Sequence, residues 1–111
     1  MVGIRFWRDA SQQLTFDMDH VPAADYPTIC HAVVTVFALI QETPLVVGLD
    51  QMSWEWRRGE QVISLDWDIW MEFIVVAKTV GSESLVHDVA TWLGGSQWGN
   101  PNGLALPGAV N

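Results

Sequence analysis

The stretch SLDWDIWMEF, residues 64–73, places three carboxylates and three large aromatic rings within ten positions. Polar and apolar residues alternate as they do in a β-strand with one buried face: Ser64, Asp66 and Asp68 against Ile63, Leu65 and Trp67. The β-like run continues over residues 61–77, whereas a strand usually has about five or six residues. A break at residues 68–71 therefore predicts two strands joined by a hairpin, at the centre of an antiparallel sheet.

The residues before this hairpin predict three further elements. Two alternating runs, residues 4–9 and 14–19, are separated by a short polar link and predict a β-hairpin. Apolar residues then recur at helical spacing over residues 26–40. This pattern predicts a helix of about four turns that ends before Pro44, because proline disfavours helical geometry in the residue before it.

The remaining elements complete the predicted order ββαβββα. Residues 44–49 read as an extended segment and residues 53–58 as a strand, while residues 85–93 repeat the helical spacing and are followed by Gly94. We predict an α+β fold, a two-layer sandwich of an antiparallel sheet of about five strands with two helices on one face. One domain would span residues 1–95, and residues 96–111 would form an uncharged Gly/Pro/Asn-containing tail.

The composition limits the classes of partner. Thirteen Asp and Glu against five Lys and Arg give a net charge of −8, which repels nucleic acid and anionic membranes and favours basic protein surfaces or cationic ligands. A single cysteine rules out an internal disulfide. Arg5 and Arg8 interrupt any apolar leader segment, so we predict a cytoplasmic protein without nucleic-acid or membrane partners.

No motif in the sequence indicates a particular reaction. Asp66 and Asp68 would lie roughly 6.5–7 Å apart along a strand, a spacing that an acid/base pair can use, but the alternation alone explains them. Residues 17–20, DMDH, offer only two ligands on one face, fewer than a metal needs. Cys30 and His31 point about 100° apart on a helix. We therefore predict no catalytic residues, no metal and no cofactor.

Two surfaces stand out as candidates for binding. Seven tryptophans are more than one layer of core needs, so we predict a binding surface on the sheet face away from the helices, beside the acidic residues: Trp54, Trp56, Asp66, Asp68 and Trp70. Residues 27–41 contain no charged residue, although the outer face of a surface helix normally carries charges. Either this helix is buried on both sides, or its back lies in a subunit interface. We predict a homodimer or higher oligomer formed through this back, through the Trp54/Trp56 sheet face, or through both; the residues on the helix back are Thr28, His31, Thr35 and Leu39.

These features favour a small acidic protein-binding module, of which an inhibitor or immunity-type protein for a basic partner is one form. The alternative is a small-molecule-binding protein with a Trp-lined, acidic pocket for a cationic apolar ligand. An enzyme is the third class and would need a site assembled from residues that the sequence does not connect. The identity of the partner and the order of the strands are left open.

Overall fold

A computed structural model describes residues 3–99 and shows the predicted α+β fold. Seven strands and two helices occur in the order β1 (Ile4–Arg8), β2 (Leu14–Met18), α1 (Tyr26–Phe37), β3 (Ile40–Gln41), β4 (Val46–Val47), β5 (Gln51–Arg58), β6 (Gln61–Asp68), β7 (Glu72–Ala77) and α2 (Glu83–Gly94). A short 3-10 turn precedes each helix. No helix in the described part of the chain has the length and apolar character needed to cross a membrane.

All strands pair antiparallel in one sheet of order β1-β2-β7-β6-β5-β3, and β4 pairs with the same edge of β5 as β3. The predicted central hairpin is confirmed, with Asp68 opposite Glu72 at its end. The Asp68 carboxylate closes the turn by accepting hydrogen bonds from the backbone N–H groups of Trp70 (2.9 Å) and Met71 (2.7 Å). A carboxylate that bonds to the next backbone N–H groups is a common way to stabilise a turn.

Both helices cover the same face of the sheet. The core between the layers consists of fully buried side chains from the sheet and both helices, among them Phe16, Leu65, Phe73, Val75, Ile29, Val33, Leu85 and Val89. Two polar contacts link the layers: the Tyr26 hydroxyl donates to the Leu65 carbonyl, and the Trp67 indole donates to the Val21 carbonyl at 2.8 Å. Trp67 thus packs toward the helices as its alternation predicts.

Helix α1 ends earlier than its apolar spacing predicts. Ala38 adopts a left-handed conformation (φ 54°), and the N–H of Leu39 donates to the Val34 carbonyl. The reversed chain carries Leu39 back into the core, where it is buried. The prediction that Leu39 belongs to an exposed helix back is therefore wrong. The residues after it leave the helix to form the edge strand β3.

The edge formed by β3 and β4 is one strand interrupted by an irregular segment. Glu42 donates its N–H to the Glu55 carbonyl at 2.9 Å, and the Glu55 N–H donates to the Thr43 hydroxyl at 3.0 Å. Pro44 follows and has no N–H to continue the ladder. Pairing resumes at Val46, so β5 keeps a partner along most of its outer side.

The described chain continues slightly past the predicted domain boundary. Trp98 packs against the core, with its ring 6.3 Å from that of Trp92. Gly99 lies so close to the end of α2 that a Cβ there would stand 2.3 Å from the Leu93 carbonyl oxygen, so only glycine fits without rearrangement. Residues 100–111 of the predicted tail lie outside the described residues.

Candidate functional site

The predicted binding surface is divided between the two faces of the sheet. Trp54 lies opposite Leu65 across the β5–β6 ladder, which places the tryptophan on the helix-covered face. Asp66 lies opposite Ser53 and therefore occupies the open face. The alternation within each strand was predicted, but the register between β5 and β6 decides which faces coincide, and it pairs the tryptophans with the apolar side of β6.

Trp54 and Trp56 line a cavity of about 150 Å³ between β5 and α1, together with Pro27, His31 and Val34. The two indole rings lie 4.9 Å apart, and their buried N–H groups have no acceptor among residues 3–99. Among the residues that the structure describes, no carboxylate lines this cavity. Its described lining therefore combines tryptophan with apolar residues and one histidine, without the acidic group that the alternative prediction includes.

Asp66 lies near the centre of the open face and is half-buried. The Ser64 hydroxyl donates to its carboxylate at 2.6 Å. Burial raises the pKa of Asp66 above its ordinary value, although hydrogen bonds from Ser64 and Ser53 act in the opposite direction. This carboxylate belongs to a packed polar cluster on the sheet.

Four acidic residues lie along one end of the sheet. Asp68 and Glu72 face each other across the β6–β7 ladder, and Asp19 directly follows the β2 residue that pairs with the start of β7. Asp50 lies beside the same end, because its carbonyl accepts the N–H of Ile69 at 3.2 Å. Acidic residues from three different connections therefore lie at the same end of the sheet.

Trp70 projects from this end, and its side chain is 78% exposed. The turn that carries it is fixed by the two hydrogen bonds to Asp68. Among residues 3–99, no lysine or arginine forms an ion pair with any of the four carboxylates; His20 lies 3.7 Å from Asp19. We call this group the acidic end: Asp19, Asp50, Asp68, Trp70 and Glu72.

Basic residues gather at the opposite end of the strands. Arg58 closes β5 and Lys78 directly follows β7. Arg8, Arg57 and Lys78 are each paired with an acidic residue: Glu83, Glu42 and Glu55 respectively. Four of the five lysine and arginine residues thus lie at this end of the strands: Arg8, Arg57, Arg58 and Lys78. The acidic end contains none.

The predicted homodimer surface is exposed at Thr28, His31 and Thr35. Sequence reasoning missed its neighbour on the sheet edge, residues 45–49 (LVVGL), all of which are exposed. The apolar run itself was visible as an extended segment. Its exposure was not, because the order of the strands decides whether such a run lies at the centre or at the edge of a sheet.

The described residues offer little for catalysis. Burial raises the pKa of the Cys30 thiol to about 12, so the nucleophilic thiolate is scarce at neutral pH. Its neighbour His31 is exposed and on another side of α1. No three His, Cys, Asp or Glu side chains converge as metal ligands within residues 3–99.

Comparisons with protein-family models, curated proteins and solved structures find no significant match for this chain. The chemistry of its surfaces is therefore the basis for assigning a function. Of the two surfaces described above, the acidic end combines charge and an exposed aromatic ring, whereas the Trp54–Trp56 cavity is small and uncharged.

Proposed function

We propose that this protein is an acidic protein-binding module that recognises a basic partner through the acidic end. The observation that carries the proposal is the exposed Trp70 at the same end of the sheet as Asp19, Asp50, Asp68 and Glu72, none of them paired with lysine or arginine in the described part of the chain. An inhibitor or immunity-type protein that masks a basic surface is one form of such a module.

Charge and aromatic contact would have different tasks at this surface. Uncompensated carboxylates attract a basic partner over long range and speed association at low salt. A tryptophan that becomes fully buried in an interface supplies binding energy, and such residues are frequent hot spots. Because Asp68 fixes the turn before binding, little conformational entropy is lost when Trp70 docks.

The small-molecule alternative has weaker support. Ligand pockets usually measure about 300–1,000 Å³, whereas the Trp54–Trp56 cavity measures about 150 Å³. A cationic ligand would also need a counter-charge, and no carboxylate lines the cavity. The geometry therefore favours a protein partner at the acidic end.

The test begins with affinity capture from a lysate of the source cells on immobilised full-length chain, followed by calorimetry with each captured protein. Asp19→Asn combined with Asp50→Asn removes two charges from the acidic end. The matched control, Glu60→Gln combined with Asp88→Asn, removes two exposed charges elsewhere. We expect the first pair to weaken binding by about tenfold or more, and the control to change it little.

Trp70→Ser tests the aromatic contact separately. Loss of a hot-spot side chain costs about 2 kcal/mol or more of binding free energy, so the affinity should fall by roughly thirtyfold. It should fall equally at low and high salt, whereas the effect of the charge pair should shrink as salt screens it. A captured partner whose affinity is unchanged by both variants would refute the acidic end as the binding surface.

A further inference from the structure

A second surface of the molecule carries very little charge. Between Asp25 and Asp50, the chain contains one charged residue, Glu42. The Glu42 carboxylate is paired with Arg57 at 3.1 Å. The helix and edge strands built from this segment therefore carry no net charge, although the whole chain carries −8.

This segment also exposes an unusual amount of apolar side chain. Val47 is 65% exposed, and Leu49 is fully exposed. The exposed members come from the last turn of α1 and from the sheet edge: Val36, Ile40, Leu45, Val46, Val47 and Leu49. Together with the outward residues of α1, Thr28, His31 and Thr35, we call this surface the uncharged edge.

The backbone of the uncharged edge has free pairing capacity. Gly48 donates its N–H to the Gln51 carbonyl at 2.8 Å, which makes these two residues a hydrogen-bonded pair of the β4–β5 ladder. Because such pairs alternate along antiparallel strands, the N–H and C=O groups of Val47 point away from β5. An unpaired apolar strand edge readily accepts another strand.

Helix α1 and the edge strands form one continuous surface. The helix lies over β5, because Val34 of α1 and Trp54 of β5 line the same small cavity between them. The side chain of Val47 lies on the same face of the sheet, since Val47 pairs with Met52 and Met52 with the helix-facing Trp67. A protein that docks on the edge strand therefore also contacts the outer side of α1.

We infer that a second copy of this chain docks on the uncharged edge. A basic partner would gain no electrostatic attraction from a surface without unpaired carboxylates, whereas a second copy, with its own charge of −8, meets the least repulsion where charge is absent. A twofold pairing that sets β4 antiparallel to β4 of the other copy would extend the sheet and bring the two α1 helices together. Such closed pairs are the commonest symmetric assemblies.

Both parts of the surface are needed for a stable pair. A standard interface takes about 800 Å² from each partner, and two paired residues of β4 supply only a fraction of that area. Helix α1 and residues 45–49 extend the contact on either side of the strand. Asp50 of the acidic end directly follows Leu49 of the uncharged edge, but Trp70 lies on the separate β6–β7 turn. We therefore expect a dimer formed in this way to leave Trp70 available to the proposed partner.

The test is sedimentation velocity on the full chain at protein concentrations from roughly 1 to 100 μM, in about 0.15 M salt. We expect a dimer for the unmodified protein and a monomer for Val47→Lys, which places a charge in the edge. Val80→Lys is the matched control, because Val80 is 87% exposed but lies before α2, away from the edge. Thermal unfolding followed by circular dichroism confirms that each variant is folded.

Hydrogen exchange gives an independent readout. The amide of Val47 should exchange slowly in the dimer and fast after dissociation or in Val47→Lys. A monomeric unmodified protein over the whole range would overturn the inference, as would a dimer that survives Val47→Lys or an assembly that grows beyond two copies. Trp70→Ser should remain dimeric, so failure of the proposed partner binding and failure of the dimer are separate results.

Discussion

The strands on the two sides of β7 satisfy their polar groups in different ways. On one side, the buried Asp17 of β2 accepts hydrogen bonds from the Arg5 guanidinium at 3.1 Å and the Trp7 indole at 2.9 Å. On the other side, Asp66 of β6 lies across Ile74 from Asp17; it accepts hydrogen bonds from serine and backbone donors and forms no ion pair among residues 3–99. Asp17 and Asp66 are thus the two neighbours of Ile74 in the sheet, but only Asp17 forms an ion pair with an arginine in the described structure.

The tryptophans and the outer edges repeat this contrast. Trp7 has an acceptor for its indole N–H, whereas the buried N–H groups of Trp54 and Trp56 have none in the described chain. Strand β1 carries two arginines, a common protection of a sheet edge, while residues 45–49 carry no charge. Within residues 3–99, Asp17 and Trp7 of the β1–β2 side are hydrogen-bonded to each other, whereas the two buried indole N–H groups of β5 have no acceptor and the edge at residues 45–49 carries no charge.

The largest expected effect on stability concerns Asp17, on the β1–β2 side of the sheet. Asp17→Ala leaves the Trp7 indole without its acceptor and should lower the free energy of unfolding by about 1–3 kcal/mol, measured by urea denaturation at pH 7. The ion pair with Arg5 contributes little of this, because the arginine side chain is 72% exposed. Asp17→Asn keeps an acceptor oxygen and should lose less. A cost below about 0.5 kcal/mol for Asp17→Ala, which is ordinary for a surface change, would contradict the contrast between the two sides.

A pair of smaller effects compares the indoles directly. Trp7→Phe and Trp54→Phe remove similar ring area, but only the first breaks a hydrogen bond in the described structure. Trp7→Phe should therefore cost about 1 kcal/mol more than Trp54→Phe, in the same denaturation assay. Equal costs would show that the Trp54 N–H finds an acceptor in solution. Trp56→Phe serves as a repeat of the Trp54 result, because both rings line the same cavity.

Local patterns in the sequence predicted most of the elements. The alternation over residues 61–68 and the break before Glu72 correctly located the central hairpin, and the apolar spacing that precedes Gly94 located α2. The end of α1 was predicted too late because the apolar spacing continues through Ile40. The helix ends because Ala38 adopts the left-handed conformation. Alanine seldom does so, and the sequence therefore gives no sign of a helix end at this residue.

The candidate surfaces were predictable only in part. Asp68 and Trp70 were identified because they lie within one short stretch. Asp19 and Asp50 were missed, since they join the acidic end from two other connections and only the strand order brings them there. The placement of Trp54 against α1 likewise depends on the β5–β6 register, which no local pattern determines.

The smallest expected effect concerns the unpaired carboxylate of Asp66 and depends on pH. Burial raises the pKa of Asp66 in the folded protein, so the folded state binds this proton more tightly than the unfolded state. The associated stability is present below the unfolded value of about 4 and is lost as the pH rises through the folded value. Asp66→Asn stays neutral and keeps an oxygen that accepts the Ser64 hydroxyl. Its free energy of unfolding, relative to the unmodified protein, should therefore rise between pH 4 and pH 7.

Asp88→Asn, at an exposed position of α2, measures the general effect of removing one negative charge. If Asp66→Asn shows no gain beyond that control as the pH increases, Asp66 is as well stabilised as Asp17, and the two sides of the sheet do not differ in this respect.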